Sequence, residues 1–198
     1  MKYFRLMKQG LNVQPFLDEI ASIPNAWSLN TGRQNKIAVQ REARAIPLRG
    51  VVKSKIAGRK RHDVHESRYT TLSKQFPIAR AFLESFAAEH DAELGRAKIV
   101  CLPAGRQVYP HTDQGEYYRL HDRYHLILQS ALGSYLKSGD EEKRMQVGEL
   151  WWFDNKQIHS AFNDGDADRI HMIFDLLPRA RFVEVYGAKE MEEVALFD

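Results

Sequence analysis

From Lys98 onward the chain is a succession of short runs rich in Ile, Val, Phe, Tyr and Trp: Lys98 to Leu102, Gln107 to Asp113, Arg123 to Gln129, Met145 to Val147, Leu150 to Phe153, His159 to Asn163 and Ile170 to Leu177. Turn residues separate them, most clearly Ser138-Gly139-Asp140-Glu141-Glu142 and Asn163-Asp164-Gly165-Asp166-Ala167-Asp168. Runs of that length and composition predict strands. Helical periodicity is confined to the earlier half, so the pattern predicts a mainly β fold with flanking helices, a curled antiparallel sandwich carrying a helical layer.

The first half supplies that layer. Gln14 to Ser22 predicts a short helix with Pro15 near its start and Phe16, Leu17 and Ile20 on one face. Between Ser73 and His90, Ile78, Ala79, Phe82, Leu83 and Phe86 recur at helical spacing, and Pro77 suits a first-turn position. That stripe is expected to pack on one face of a sheet. Ala45 to Val52 predicts one more strand, with Pro47 at an edge or bulge. A chain of 198 residues with 43% apolar and 28% charged residues fits one domain. We divide it into a supporting and pocket-forming region (1–95), a β core (96–178) and a tail (179–198), of which Gly187 to Phe197 is expected to be helical.

Composition also excludes several classes. No run approaches the roughly 18 apolar residues of a membrane span, and the first residues lack the apolar stretch of a secretory leader, so no membrane partner and a cytoplasmic location are expected. The single cysteine, Cys101, lies in the apolar run Ile99 to Leu102, where a buried strand position is expected. A net charge of +3 is too small to mark a nucleic-acid binder. The excess is concentrated in Lys53, Lys55, Arg59, Lys60 and Arg61, a solvated loop or a lip that attracts an acidic substrate. His62 and His65 follow it but fall outside the expected ligand set.

That set is carried by Tyr109-Pro110-His111-Thr112-Asp113. Along an extended strand, side chains two apart leave the same face, so His111 and Asp113 can reach one ion. His159, at the start of a later strand and expected to face His111 across the sandwich, would complete two histidines and a carboxylate. This is the facial triad of non-haem Fe(II) oxygenases, which leaves neighbouring coordination positions open. Arg169 follows His159 by ten residues across the acidic turn, and its guanidinium suits bidentate capture of a carboxylate. Arg123 and His125 share one side of a strand that otherwise presents Tyr124, Leu126 and Leu128. Taken singly, Arg169 could pair with Asp166 or Asp168, Arg123 with Asp122 or Glu116, and His125 could be a hydrogen-bonded core residue.

From about Ile99 to Leu177 the chain resembles the aspartyl/asparaginyl beta-hydroxylase family, including its proline hydroxylase branch. The resemblance rests on Val108 to Asp113, Arg123-Tyr124-His125-Leu126, Val147 to Asp154, Ile158 to Asn163, and Arg169 through Asp175-Leu176. It implies a double-stranded β-helix, the jelly-roll of cupins, in which His111, Asp113 and His159 bind Fe(II). By the same resemblance Arg169 would hold the distal carboxylate of the cosubstrate 2-oxoglutarate, and Arg123 and His125 would line its metal-binding end. The implied reaction uses O2 to hydroxylate an unactivated C–H of an amino acid, free or as an Asp, Asn or Pro residue in a peptide, releasing succinate and CO2. The triad carboxylate is missing in the animal beta-hydroxylases, and Asp113 aligns this chain with the proline-hydroxylating members. It also argues against a halogenase, where a small residue replaces the carboxylate.

Two other readings of the same fold remain. Nucleic-acid demethylases resemble this pattern but repeat an arginine six residues beyond Arg169, where Asp175 stands, so no nucleic-acid partner is expected. A non-oxidative cupin, an isomerase or a metal-bound hydrolase, would need only three protein ligands and an open position, a set that also suits Zn(II). Gln114 to Asp122 is either a lid whose Tyr118 and Arg119 meet the substrate or a polar surface loop.

Overall fold

The computed structural model of the chain describes residues 1–29, 37–51 and 65–186. The basic stretch from Lys53 to Arg61, His62 and the tail from Gly187 to Phe197 lie outside them. In chain order the elements are β1 (Phe4–Lys8), α1 (Gln14–Ser22), β2 (Arg44–Val51), β3 (Ser67–Tyr69), α2 (Pro77–Glu89), β4 (Ala92–Leu102), β5 (Arg106–His111), α3 (Glu116–Leu120), β6 (Asp122–Gln129), β7 (Ser134–Ser138), β8 (Glu141–Lys143), β9 (Leu150–Phe153), β10 (His159–Asn163), β11 (Arg169–Pro178) and α4 (Arg179–Tyr186). Short 3-10 turns lie at Ala26–Ser28, Ala38–Gln40 and Leu72–Gln75.

Two antiparallel sheets result. The larger runs β1-β9-β6-β11-β4-β2-β3 and the smaller β5-β10-β7-β8. From β4 to β11 the chain passes alternately between them, and only the β7–β8 hairpin stays within one sheet. This is the double-stranded β-helix, with β1, β2 and β3 extending the edges of its larger sheet.

Strict alternation along the larger sheet separates its two faces. Tyr124, Leu126 and Leu128 of β6, Ile99 and Cys101 of β4, and Ile170, Met172 and Phe174 of β11 join the cluster beneath the helices. There Phe86 of α2 meets Phe174 and Tyr124 edge to face, at 5.4 and 5.3 Å between ring centroids, and Phe16 of α1 meets Phe82 at 5.6 Å. Glu19 is buried in α1 because its carboxylate accepts from the Ile78 and Ala79 backbone N–H groups (2.5 and 3.1 Å), which the first turn of α2 leaves unsatisfied. Ile78 itself faces solvent, 43% exposed, instead of completing the expected stripe. The opposite face of the sheet looks into the sandwich, where Val100, Leu102, Ile127 and Phe153 meet Leu136 and Ala161 of the smaller sheet.

Several boundaries differ from the sequence expectation. Pro47 sits at a register shift in the β2–β4 pairing, as predicted, but β4 begins at Ala92. Met145 to Val147 is not a strand; Met145 is a buried plug in a loop that ends at Gly148. Gly148 has φ +79° and its carbonyl accepts from the Leu11 N–H (3.0 Å), a close approach that leaves no room for a side chain. The strands absent from the sequence expectation are β1, β3, β7 and β8, the last of which occupies part of the predicted polar turn. Cys101 is buried as expected, and burial, with Asp168 beside it, pushes its thiol up to about 12. No helix among the described residues is long and apolar enough to cross a membrane.

Candidate metal centre and anion pocket

The two candidate histidine ligands are cross-strand neighbours within the smaller sheet. His159 opens β10 and pairs in register with His111, the last residue of β5, with ring centroids 4.3 Å apart. The expectation that they face each other across the sandwich is therefore corrected: β10 lies beside β5 in the same sheet. β5 also stops at His111, so Asp113 arrives by a loop and not by the pleat. The turn after β9 holds that loop, where the Asp113 N–H donates to the Asn155 carbonyl (3.4 Å) and the Asn155 amide donates to Asp113 Oδ2 (2.9 Å). One ligand atom from each of His111, Asp113 and His159 lies within 4.8 Å of the others.

Hydrogen bonds orient the two imidazoles for a cation. His111 Nδ1 donates to the Tyr109 carbonyl (2.7 Å) and His159 Nδ1 to the Gln157 carbonyl (2.9 Å), which leaves both Nε2 lone pairs free. Burial, against the opposing pull of Asp113, lowers His159 to about 4. Burial would raise the Asp113 carboxyl, but the Arg123 guanidinium, followed by His159 and the Asn155 amide, holds it at about 2. At neutral pH His159 is thus a neutral imidazole and Asp113 a carboxylate, and Asp113 Oδ1 takes no hydrogen bond from the described residues.

Arg123 is committed to two acids. Nη1 bonds Asp113 Oδ2, while Nε and Nη2 donate to the two oxygens of Asp175 (2.7 and 3.0 Å). Neither Asp122 nor Glu116, its nearest acids in sequence, takes it. Asp175 is itself held by the Tyr117 hydroxyl (3.1 Å), which accepts from the Arg96 N–H (2.7 Å). Burial opposes ionisation of Asp175, and the bidentate guanidinium overrides it. α3 is where the lid was expected, and its two tyrosines differ. Tyr117 is fully buried and stacked on His121 at 3.7 Å, whereas the Tyr118 ring lies 5.1 Å from the Arg123 guanidinium. Arg119 is exposed beside Glu116 and does not line the pocket. His65, excluded as a ligand, is buried and stacks on His121.

Gly95 closes this network from β4. A Cβ there would lie 2.4 Å from the Tyr117 hydroxyl and 3.0 Å from the Asp175 carbonyl. Gly95→Ala is expected to destabilise the fold by about 1–3 kcal/mol, as overpacking does. Urea unfolding read by tryptophan fluorescence checks this, and an unchanged midpoint would show that the tyrosine yields freely.

The pocket beside the triad lies between the sheets, and the larger sheet lines it with Lys98, Arg123, His125 and Arg169. Arg169 opens β11, so the acidic turn carries the chain from the smaller sheet to the larger one. It is only 3% exposed, and its guanidinium has no hydrogen-bonding or ionic partner among the described residues. Asp168, one of its two candidate partners, accepts the Cys101 thiol instead. Burial alone pushes Arg169 down to about 9. A buried cation without a counter-ion, open to a pocket, fits a ligand carboxylate. His125 lines the same wall with its Nδ1 3.2 Å from His171 Nδ1. Sequence reasoning missed Asn155, Lys98 and His171; for the last two, alternation with Val100 and with Arg169 was the available signal.

The aspartyl/asparaginyl beta-hydroxylase family model matches residues 60–178, well over half of the chain. The chain belongs to that family. Among curated relatives, it is similar to an L-proline cis-4-hydroxylase of Rhizobium meliloti, 29% identical over 107 residues, which are 54% of this chain and 37% of that one. The match thus spans well under half of that relative. Among solved structures of the same fold, a Trichoplax adhaerens prolyl hydroxylase in complex with a hypoxia inducible factor peptide fragment aligns with a TM-score of 0.58 at 10% identity, covering 92% of this chain and 86% of that one. A Pseudomonas putida prolyl-4-hydroxylase aligns at 0.52 and 14% identity, covering 89% and 92%. In this family member the aspartate six residues beyond Arg169 is a structural partner of Arg123.

Proposed function

We propose that this chain is an Fe(II)- and 2-oxoglutarate-dependent dioxygenase that hydroxylates an amino acid, free or as an Asp, Asn or Pro residue in a peptide. The observation that carries the reading is a His-Asp-His cluster beside a pocket that also holds a buried guanidinium without a hydrogen-bonding or ionic partner among the described residues. Likeness to proline and prolyl hydroxylases supports the substrate class.

His111, Asp113 and His159 would hold Fe(II) on one side, leaving adjacent positions open. Bound Fe(II), with 2-oxoglutarate and O2, supplies the oxidising power for C–H hydroxylation, with succinate and CO2 as coproducts. Arg169 would take the distal carboxylate of 2-oxoglutarate, and its depth between the sheets sets how far that acid enters. His125 would meet the metal-proximal end. Arg123 is tied to Asp175 and steadies Asp113, so its part is to orient the ligand set as well as to line the pocket. Substrate would be positioned on the open side, where Tyr118 covers Arg123, since placement decides which carbon reacts.

Purified protein with Fe(II), ascorbate and 2-oxoglutarate should release succinate with a suitable amino acid or peptide. His111→Ala and Asp113→Ala should each lower turnover by more than the roughly 10–100-fold that follows loss of an outer partner of a metal ligand. Variants that keep both Fe(II) binding and turnover would defeat the assignment. Metal analysis separates it from a non-oxidative zinc site.

A further inference from the structure

His125 and His171 lie diagonally on the inward face of adjacent strands, β6 and β11, since His125 pairs with Ile173 and His171 with Ile127. Their rings stand at 84° with Nδ1 facing Nδ1 across 3.2 Å. Both are buried, at 4% and 1% exposure. Burial first, then Arg169, which faces both, and Arg123, Lys98 and His159, which face His125, hold the two rings well below the usual histidine range, so each stays neutral. A neutral imidazole carries one N–H and one lone pair, and the short contact holds a single proton between the two Nδ1 atoms.

Two arrangements satisfy that contact. If His125 donates, the proton of His171 must lie on its Nε2, a buried atom with no partner among the described residues. His125 would then turn a bare lone pair toward any anion in the pocket. If His171 donates, only a lone pair is left unsatisfied at its Nε2, which native interiors tolerate better than an orphaned N–H. The Nε2 of His125, the polar atom left to the residue's pocket side, then carries a proton.

We propose that His171 is a positioning residue: its Nδ1–H donates to His125 Nδ1 and so fixes His125 as the Nε2–H tautomer, a hydrogen-bond donor to the carboxylate of the 2-oxo acid. The ligand half rests on the function proposed above; the proton arrangement does not. His171 touches no ligand itself and acts through His125.

The first test is a long-range proton–nitrogen NMR correlation spectrum of nitrogen-15 histidine-labelled protein, metal-free and Zn(II)-loaded. His125 should be protonated on Nε2 and bare on Nδ1, and His171 the reverse. The opposite pattern overturns the proposal whatever the protein catalyses. The second is the anaerobic dissociation constant of 2-oxoglutarate for the Fe(II) protein, read from its charge-transfer absorbance. His171→Leu should raise it about tenfold and mix the His125 tautomers, while His171→Asn, whose amide can donate to Nδ1, should stay within about threefold of wild type. An unchanged constant and an unchanged His125 tautomer in His171→Leu overturn the proposal, and if that variant does not fold, the wild-type spectrum decides. Wild-type protein that binds no 2-oxoglutarate overturns the ligand half together with the dioxygenase reading, while the spectrum still judges the tautomers.

Discussion

Replacing Arg169 with methionine is expected to make the metal-free protein more stable and, at the same time, to end its capture of 2-oxoglutarate. The two effects share one cause. The guanidinium is buried, lacks a counter-ion among the described residues, and is pushed down to about 9 by burial alone. Methionine fills a similar volume without a charge to desolvate, and replacing buried ionic groups by apolar ones stabilises proteins by about 1–4 kcal/mol. A structural arginine would show the reverse sign, because its loss would leave a buried acid without its cation. Urea unfolding of the metal-free variant gives the first quantity. Anaerobic titration of the Fe(II) form with 2-oxoglutarate gives the second, and a loss of at least about a hundredfold is expected for removing a charge-assisted bidentate contact. A destabilised variant that still bound the 2-oxo acid would mean that Arg169 serves the fold and not the ligand.

Acidification from pH 7 to 4 is expected to unfold the metal-free protein steeply. Burial first of all lowers His121 to about 3 and His159 to about 4, and holds His125 and His171 well below 6.5. In the unfolded chain all four histidines protonate near pH 6.5. Below that value the unfolded state binds protons that the native state refuses, so stability falls as the pH falls and is restored above it. Each histidine contributes a slope of about 1.4 kcal/mol per pH unit across its window, roughly 5 kcal/mol per unit for the four together. That slope exhausts a net stability of about 5–15 kcal/mol within roughly one to three pH units. Asp113, at about 2, and Asp175, held below the usual carboxylate range, lose most of their contributions below about pH 4 and add little here. Urea midpoints at a series of pH values, with the proton uptake on unfolding, measure the slope. A profile flat to pH 4.5 would show that these rings are solvated.

The sequence marks His111, Asp113, His159 and Arg169 as candidates from strand alternation and the order of the motifs, and the fold brings ligand atoms of the first three within 4.8 Å of one another, with Arg169 lining the pocket beside them. What lay hidden depends on pairing between remote strands. Arg123 invites pairing with Asp122 or Glu116, yet its partners are Asp113 and Asp175, supplied by a loop and by the neighbouring strand. Asn155 is an unremarkable turn residue until the β9–β10 connection brings it to Asp113. β7 escaped the hydrophobic pattern because two of its three inward positions are Ser134 and Ser138, with Leu136 alone apolar. Met145 to Val147 erred the other way, since one buried methionine gives a loop the composition of a strand. The shared sheet of His111 and His159 was hidden for a related reason: alternation tells which way a side chain points but not which strand lies beside it.

The division of labour between the two sheets has a mechanical consequence. The smaller sheet and the loop that leaves it carry the three candidate donors for the proposed ion, whereas Arg169, the proposed anion partner, belongs to the opposite wall. A molecule that chelates the ion at one end and reaches Arg169 at the other becomes a strut spanning the gap. Backbone amides on β5, β10 and the start of β11 should then exchange with deuterium more slowly together than with either the ion or the acid alone.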